Sequence, residues 1–222
     1  MAHDMDTTTP RIVLIHAVTV AIEPVCAAFA VRWPEAEVVN LLEDSLSRDR
    51  AAHADLTPDM YRRFATLTHY ATDIGAHGIL FTCSAFGDAI RTAARHTAMP
   101  VLTPNEAMFE AALGAGRRIG MLATFEPSVA GMEEEFHAAA GDTASIESLC
   151  VPDAMAALKA GDADAHNRLL AQAAPRLAHC DAIMLAHFST SRALDAVSAA
   201  FDGPVLTSPA AAVDKIRRAL KS

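Results

Sequence analysis

The chain lacks the features that mark several functional classes. Aromatic residues make up only 5% of its 222 residues, which suits helices packed closely on a sheet more than an aromatic-rich binding surface. The formal net charge is −9 and no cluster of basic residues stands out. Nucleic acids and anionic membranes are therefore not the expected partners. The glycines form no nucleotide-binding motif after a strand, so nucleotide binding lacks its usual signature.

The cysteines are also few. Cys26, Cys83, Cys150 and Cys180 form no CxxC pair and no spacing typical of zinc ligands. The first ten residues lack the apolar stretch of a signal peptide. No apolar run approaches the ~20 residues of a membrane-spanning helix. We therefore expect a reduced, cytoplasmic protein with free thiols, no membrane partner, and a flexible tail at residues 1–10.

Short apolar runs alternate with amphipathic stretches, which predicts an α/β fold. Runs that are apolar throughout are typical of parallel strands covered by helices on both faces. Strands are predicted at Arg11–Ala17, Glu37–Leu42, Gly78–Cys83, Pro100–Thr103, Arg118–Ala123, Ile146–Val151, Ala182–His187 and Pro204–Thr207. Helices are predicted at Ile22–Arg32, Met60–Ile74, Phe86–His96, Asn105–Leu113, Ser128–Ala139, Ala165–Ala178, Arg192–Phe201 and Ala210–Leu220.

The same order of segments occurs twice. The strand GILFTC, which ends at Cys83, matches AIMLAH, which ends at His187, and each is followed at the same distance by PVLT. Upstream, RIVLI matches RIGML. We therefore predict two pseudosymmetric, Rossmann-like domains, each with about four parallel strands.

The last predicted helix follows the second PVLT as the helix from Asn105 follows the first. If it packs back on the first half, the first domain comprises residues 11–104 plus 210–222. The second domain then comprises residues 105–209. Ligands bind beyond the carboxyl ends of parallel strands, so two facing halves place the site in the cleft between them.

Cys83 and His187 occupy equivalent strand ends and approach this cleft from opposite sides. Cysteine is more often a small core residue than a reactive one. Cys83, however, lies just before a predicted helix start, where N–H groups and the helix dipole lower a thiol pKa. Histidine gives or takes a proton near neutral pH. Both residues are therefore candidate catalytic residues, and His187 could instead hold a substrate carboxylate, keep Cys83 ionised or bond a loop carbonyl.

Two further groups of residues are not expected to form a functional site. The acidic run MEEEF, with Glu133 to Glu135, is predicted to form a solvated helix face. A metal site from His16 and His187 lacks a carboxylate or third histidine at ligand spacing, so no metal is expected.

The chain from Arg11 onward resembles the aspartate/glutamate racemase superfamily. That superfamily includes glutamate, aspartate and hydantoin racemases, maleate isomerases and arylmalonate decarboxylases. FTCSAFGDAI, RIGMLATFEPS and IMLAHFSTSRAL carry the resemblance. It implies two α/β domains around one site and proton transfer without a cofactor, by two cysteines on opposite faces of the substrate's α-carbon. Family members are often oligomeric, so the resemblance is consistent with a homo-oligomer.

The resemblance assigns roles by position. Cys83 falls on the first catalytic cysteine, and His187 stands where the second is expected. His16 stands where glutamate racemases carry an acidic residue. Together with the strand-end positions, the resemblance predicts that a small carboxylate substrate is bound by His16, Ser45, Ser84, Ala85, Thr124 and Ser189.

Three functions remain open from the sequence. The first is a racemase or epimerase of a small amino acid or related carboxylate, with Cys83 moving the α-proton and His187 replacing the second cysteine. The second is a single-cysteine decarboxylase or cis–trans isomerase of the same superfamily. The third is a cytoplasmic ligand-binding protein without catalytic activity, which fits two α/β lobes around a cleft.

Overall fold

A computed structural model describes residues 9–221 and contains two parallel sheets of four strands, each flanked by helices. The strand order is β2-β1-β3-β4 in the first sheet and β6-β5-β7-β8 in the second. The two orders are the same topology repeated, which confirms the predicted pair of pseudosymmetric α/β halves. The tail predicted at residues 1–10 lies outside the described residues except for its last two positions.

The elements follow one another along the chain in repeated strand–helix units. The strands are β1 Arg11–His16, β2 Glu37–Leu42, β3 Gly78–Phe81, β4 Val101–Leu102, β5 Arg118–Ala123, β6 Ser145–Cys150, β7 Ala182–Leu185 and β8 Val205–Thr207. The α-helices are α1 Ile22–Arg32, α2 Ser45–Ala51, α3 Pro58–Asp73, α4 Gly87–Ala94, α5 Glu106–Ala115, α6 Val129–Ala140, α7 Pro152–Lys159, α8 Ala163–Ala173, α9 Leu194–Ser198 and α10 Ser208–Ala219. None of the helices in this part of the chain has the length and apolar character that crossing a bilayer requires.

All eight predicted strands are present, but α2 and α7 were missed. The sequence of α2, SLSRDRA, offers one buried side chain, Leu46, so no apolar stripe marks it. The helix α7 begins with Pro152, a position that proline favours because its fixed φ suits the first helical turn. Pro152 was therefore a sequence signal from which the start of α7 could be predicted. Both missed helices contribute to the site described below.

The central strands of each sheet are buried on both faces. Side chains of β1 and β3 are packed by α3 and α4 on one face and by α1 and α10 on the other. The strands β5 and β7 are covered by α5 and α6 on one face and by α7 to α9 on the other. This two-sided burial explains why the strands are apolar throughout.

The chain crosses between the two sheets near its end. In α10, Ala212, Val213 and Ile216 are fully buried in the core of the first sheet. In α5, Met108 and Phe109 belong to the core of the second sheet. The two helices contact each other, so the C-terminal helix ties one sheet's core to a helix of the other.

Phe188 is a second link between the halves. It directly follows His187 after β7 of the second sheet, yet its side chain is buried among Ile12, Leu14 and Val25 of the first sheet's core. Only 1% of the residue is exposed. An apolar side chain buried across a boundary holds the two sides together, because separating them exposes it to water.

We expect Phe188→Ala to lower the free energy of unfolding by about 3–5 kcal/mol, the usual cost of truncating a buried phenylalanine to alanine. Urea titration followed by circular dichroism measures this loss. Tyr70→Ala is the matched control, because Tyr70 is 51% exposed and its truncation opens no core cavity. Equal losses in the two variants would contradict the assignment of Phe188 to the core.

Candidate active site

The ends of β3 and β7 bring Cys83 and His187 to one small cavity between the halves. The cavity measures about 70 Å³. Its polar lining comes from both halves and includes Ser47, Cys83, Ser84, Ser128, His187 and Ser189. Its apolar lining includes Val18, Ala21, Phe125, Met155 and Phe188.

Cys83 lies in extended backbone just before the 3-10 turn Ser84–Phe86. Burial raises the pKa of its thiol from 9.0 to about 11, although the backbone N–H of Ala85 and the positive charge of Arg50 favour the thiolate. The predicted lowering of this pKa is therefore wrong. The turn supplies the expected N–H group, but loss of hydration outweighs it.

Both ring nitrogens of His187 are hydrogen-bonded within the second half. The backbone N–H of Thr124 donates to Nδ1 at 3.4 Å. At the other nitrogen, Nε2 lies 2.8 Å from Oγ of Ser128, whose own proton goes to the carbonyl of Phe125. The neutral tautomer that carries its proton on Nε2 satisfies all of these contacts.

Burial lowers the pKa of His187 from 6.5 to about 4. With the Cys83 pKa near 11, the pair rests as a neutral imidazole and a neutral thiol over the physiological pH range. Both shifts have the same cause, because burial in a small cavity between the two halves penalises each charged form.

Three of the predicted substrate-binding residues line the cavity. Ser84, Ala85 and Ser189 follow the two equivalent strand ends and contribute to its wall. Ser84 is buried and donates from Oγ to Oδ1 of Asn105 at 3.0 Å. The carbonyl of Ala85 accepts from Nε of Arg50. These contacts fix the turn after Cys83 from two sides.

The other three predicted residues lie elsewhere. Thr124 acts on the site through His187, as described above. Ser45 donates to Glu43 at 2.6 Å and accepts from Arg63, in an ion-pair network outside the cavity lining. Thr124 therefore contacts His187. The position of Ser45 does not support the predicted contact with substrate.

His16 also lies away from the cavity. It is fully buried, and its ring nitrogens lie 2.8 Å from Oγ1 of Thr82 and from Oδ1 of Asn40. Burial lowers its pKa, against the hydrogen bond to Asn40. The expectation that His16 faces the cleft is not matched by its placement, because β2 supplies Asn40 as a partner inside the first half.

The missed helices bring residues that the sequence reasoning did not select. From α2, Ser47 lines the cavity and the positive charge of Arg50 acts on Cys83. From α7, Met155 and Lys159 line it. Lys159 is the only charged side chain among the described residues of the lining, and it is exposed, which places a positive charge at the cavity mouth.

The fold is shared with solved two-domain structures. A glutamate racemase from Bacillus anthracis matches with a TM-score of 0.75 and 12% identity over 96% of this chain and 82% of that chain. An allantoin racemase from Klebsiella pneumoniae matches with a TM-score of 0.74 and 19% identity over 94% and 86%. A mutant arylmalonate decarboxylase in a sulfate-associated form matches with a TM-score of 0.66 and 16% identity over 96% and 94%.

Comparison by sequence gives no such match. No protein-family model matches the chain, and no curated protein matches it. The chain therefore has the two-domain α/β fold of these two racemases and of this decarboxylase. At this level of identity the likeness concerns the fold, and the chemistry must be argued from the site.

We expect the alkylation rate of Cys83 by iodoacetamide to rise roughly tenfold per pH unit from pH 8 to pH 10, because its pKa lies near 11 and the thiolate is the nucleophile. Peptide mass spectrometry separates Cys83 from the other three free cysteines. A rate that is flat above pH 8 would show a thiolate already formed and contradict the burial argument.

His187 is expected to make stability depend on pH. Its folded pKa of about 4 lies below the ordinary 6.5, so only the unfolded state takes up this proton as the pH falls from 6.5 towards 4. Wild-type protein should lose about 2 kcal/mol more unfolding free energy between pH 7 and pH 5 than His187→Gln. Urea titrations at several pH values measure this, and parallel curves would contradict it.

Proposed function

We propose that this chain is a cofactor-independent racemase or epimerase of a small amino acid or related carboxylate. The observation that carries the proposal is the joint position of Cys83 and His187. They come from equivalent ends of two equivalent strands and line the same cavity. Two proton-transfer groups on opposite sides of one cavity are what inversion at an α-carbon needs.

The neutral resting pair defines the first proton transfers. His187 takes the α-proton and becomes imidazolium, while the Cys83 thiol gives its proton to the opposite face and becomes a thiolate. After product leaves, His187 releases its extra proton to water and Cys83 takes one from water, which restores the neutral pair for the next turnover. The net charge of the pair is zero throughout the two transfers, which suits a poorly hydrated cavity.

Ser128 connects His187 to the cavity. Its hydroxyl lines the cavity and lies 2.8 Å from Nε2. Accepting a proton requires the other neutral tautomer, in which Nδ1 donates to Oγ1 of Thr124 at 3.2 Å and gives up the hydrogen bond from the Thr124 N–H. Nε2 is then free to accept. The substrate proton then reaches the ring through the Ser128 hydroxyl, which gives its own proton to Nε2 as it takes the substrate's.

The lining selects the substrate class. Backbone N–H groups of the turns that begin at Ser84 and after His187 suit a substrate carboxylate, and they also stabilise negative charge that develops on it. Lys159 adds one positive charge at the mouth, which favours an anionic substrate. The apolar remainder of the wall strengthens these interactions by excluding water.

A decarboxylase is the second candidate, and the cysteine count favours it. Cys83 is the only cysteine among the described residues that line the cavity. One thiol is enough to protonate the carbanion left when a substrate loses CO₂. The apolar wall around Val18, Phe125 and Phe188 favours release of the charge of a departing carboxylate.

Proton NMR in D₂O with chiral analysis tests the proposal on a panel of aspartate, glutamate, hydantoins and arylmalonates. We expect α-deuteration with inversion of one panel member. Cys83→Ser and His187→Gln should each reduce the rate by about 10²-fold or more, the usual contribution of a general acid or base. Cys26→Ser is the matched control, because Cys26 lies in α1 outside the cavity.

The outcomes separate the candidates. Loss of a carboxyl group that depends on Cys83 would replace racemase by decarboxylase. Ligand-induced shifts in the protein spectrum, without exchange or decarboxylation of any panel member, would contradict both enzymes and support a binding protein.

A further inference from the structure

The cavity beside Cys83 is too small for the proposed substrates as it stands. At about 70 Å³ it is well below the ~300 Å³ at which ordinary ligand pockets begin. A second, open groove of about 860 Å³ lies beside it. Ser84, Ala85 and Ser128 line both spaces, so these three residues form the wall between the groove and the cavity.

That wall is a seam between the halves. Ser84 and Ala85 belong to the turn after β3 of the first sheet, whereas Ser128 ends the 3-10 turn Glu126–Ser128 after β5 of the second. No covalent link crosses the wall here. Parting of the two turns would therefore join the cavity to the groove without unfolding either sheet.

Glu135 spans this seam. It lies on α6, which covers the second sheet, and its carboxylate reaches the first half directly at Arg91 and, through Asn105 at the start of α5, at Ser84. Oε1 accepts from Nη1 of Arg91 on α4 at 2.8 Å, and Oε2 accepts from Nδ2 of Asn105 at 2.9 Å. Asn105 is fully buried and accepts in turn from Ser84, the neighbour of Cys83. We call Glu135, Gly87, Arg91 and Asn105 the Glu135 clasp.

Gly87 leaves room for this carboxylate. A Cβ on Gly87 would lie 1.5 Å from Oε1 of Glu135 and 2.8 Å from its Cδ. The Gly87 backbone is ordinary helix, with φ −49° and ψ −44°, so the conformation does not demand glycine. The close approach of Glu135 does. The predicted solvated face at MEEEF is therefore wrong for Glu135, whose side chain is only 12% exposed.

The opposite side of the cleft is held differently. There Phe188 is buried in the first sheet's core, and Arg192 pairs with Glu23 at 3.0 Å. Opening on that side would expose an aromatic ring to water, which is unfavourable. The contacts that form the clasp are hydrogen bonds, which water can replace. Separating the halves at the clasp therefore costs less free energy than separating them on the Phe188 side, which acts as the pivot.

We propose that the Glu135 clasp controls widening of the Cys83 cavity towards the groove, with Glu135 as the positioning residue that holds the two turns together. Release of the clasp parts Ser84 and Ala85 from Ser128 and opens the cavity to the groove. The claim that substrate enters by this route rests on the function proposed above. The claim that the clasp controls how accessible Cys83 is does not depend on that function.

Alkylation of Cys83 by iodoacetamide at one fixed pH, resolved by peptide mass spectrometry, tests the role of the clasp without a substrate. Glu135→Gln removes the charge that holds Arg91, and a hydrogen bond between charged groups is strong enough to shift an open–closed equilibrium about tenfold. We expect Cys83 alkylation to accelerate about tenfold. Glu134→Gln is the matched control: it removes the same charge from the next position of α6, where the side chain is exposed.

Gly87→Ala gives a second, uncharged route to the same result. The added methyl group displaces the Glu135 carboxylate, so this variant should also accelerate Cys83 alkylation while leaving every charge in place. Cys180, buried in the core of the second sheet, reports general loosening, and its rate should stay unchanged in all variants.

The proposal is overturned if Glu135→Gln and Gly87→Ala alkylate at the wild-type rate, if Glu134→Gln accelerates equally, or if Cys180 accelerates together with Cys83. A negative result in the NMR panel would leave this test unaffected, because no substrate takes part in it. A positive NMR result with unaltered alkylation would retain the enzyme and reject the role of the clasp.

Discussion

Loss of water between two facing sheets controls the chemistry of this protein. The carboxyl ends of β3 and β7 meet across one small cavity, and neither Cys83 nor His187 is hydrated well enough there to carry a charge. The thiol pKa is raised to about 11 and the imidazole pKa is lowered to about 4. The result is a neutral thiol and a neutral imidazole in one cavity, which is the state from which the proposed proton transfers begin.

The contacts across the cleft follow from the same arrangement. A small cavity between two halves needs groups from both halves around it, and two kinds of contact hold the halves together there. Phe188 does so with apolar burial in the other half's core. Glu135 does so with hydrogen bonds to Arg91 and Asn105. Apolar burial resists separation, whereas polar contacts exchange with water. The Phe188 side is therefore suited to hold the halves together, and the Glu135 side is suited to open.

The limits of sequence reasoning appear at particular residues. A short polar helix such as α2 leaves no apolar periodicity, so Ser47 and Arg50 were not selected. His16 looked like a cleft residue because it ends a strand, but Asn40 of the neighbouring strand gives it a buried partner. Glu135 looked like part of a solvated run, because sequence shows three adjacent carboxylates and not the opposing helix that one of them meets.

The sequence by itself determined the fold class, the repeated halves and the equivalent positions of Cys83 and His187. These depend on apolar periodicity and on the order of segments, which are local and readable along the chain. Only the tertiary structure decided which strand-end residues share the cavity, which charge stands at its mouth and what the pKa values are. Each of these depends on groups distant in sequence, through burial and through partners that no local pattern records.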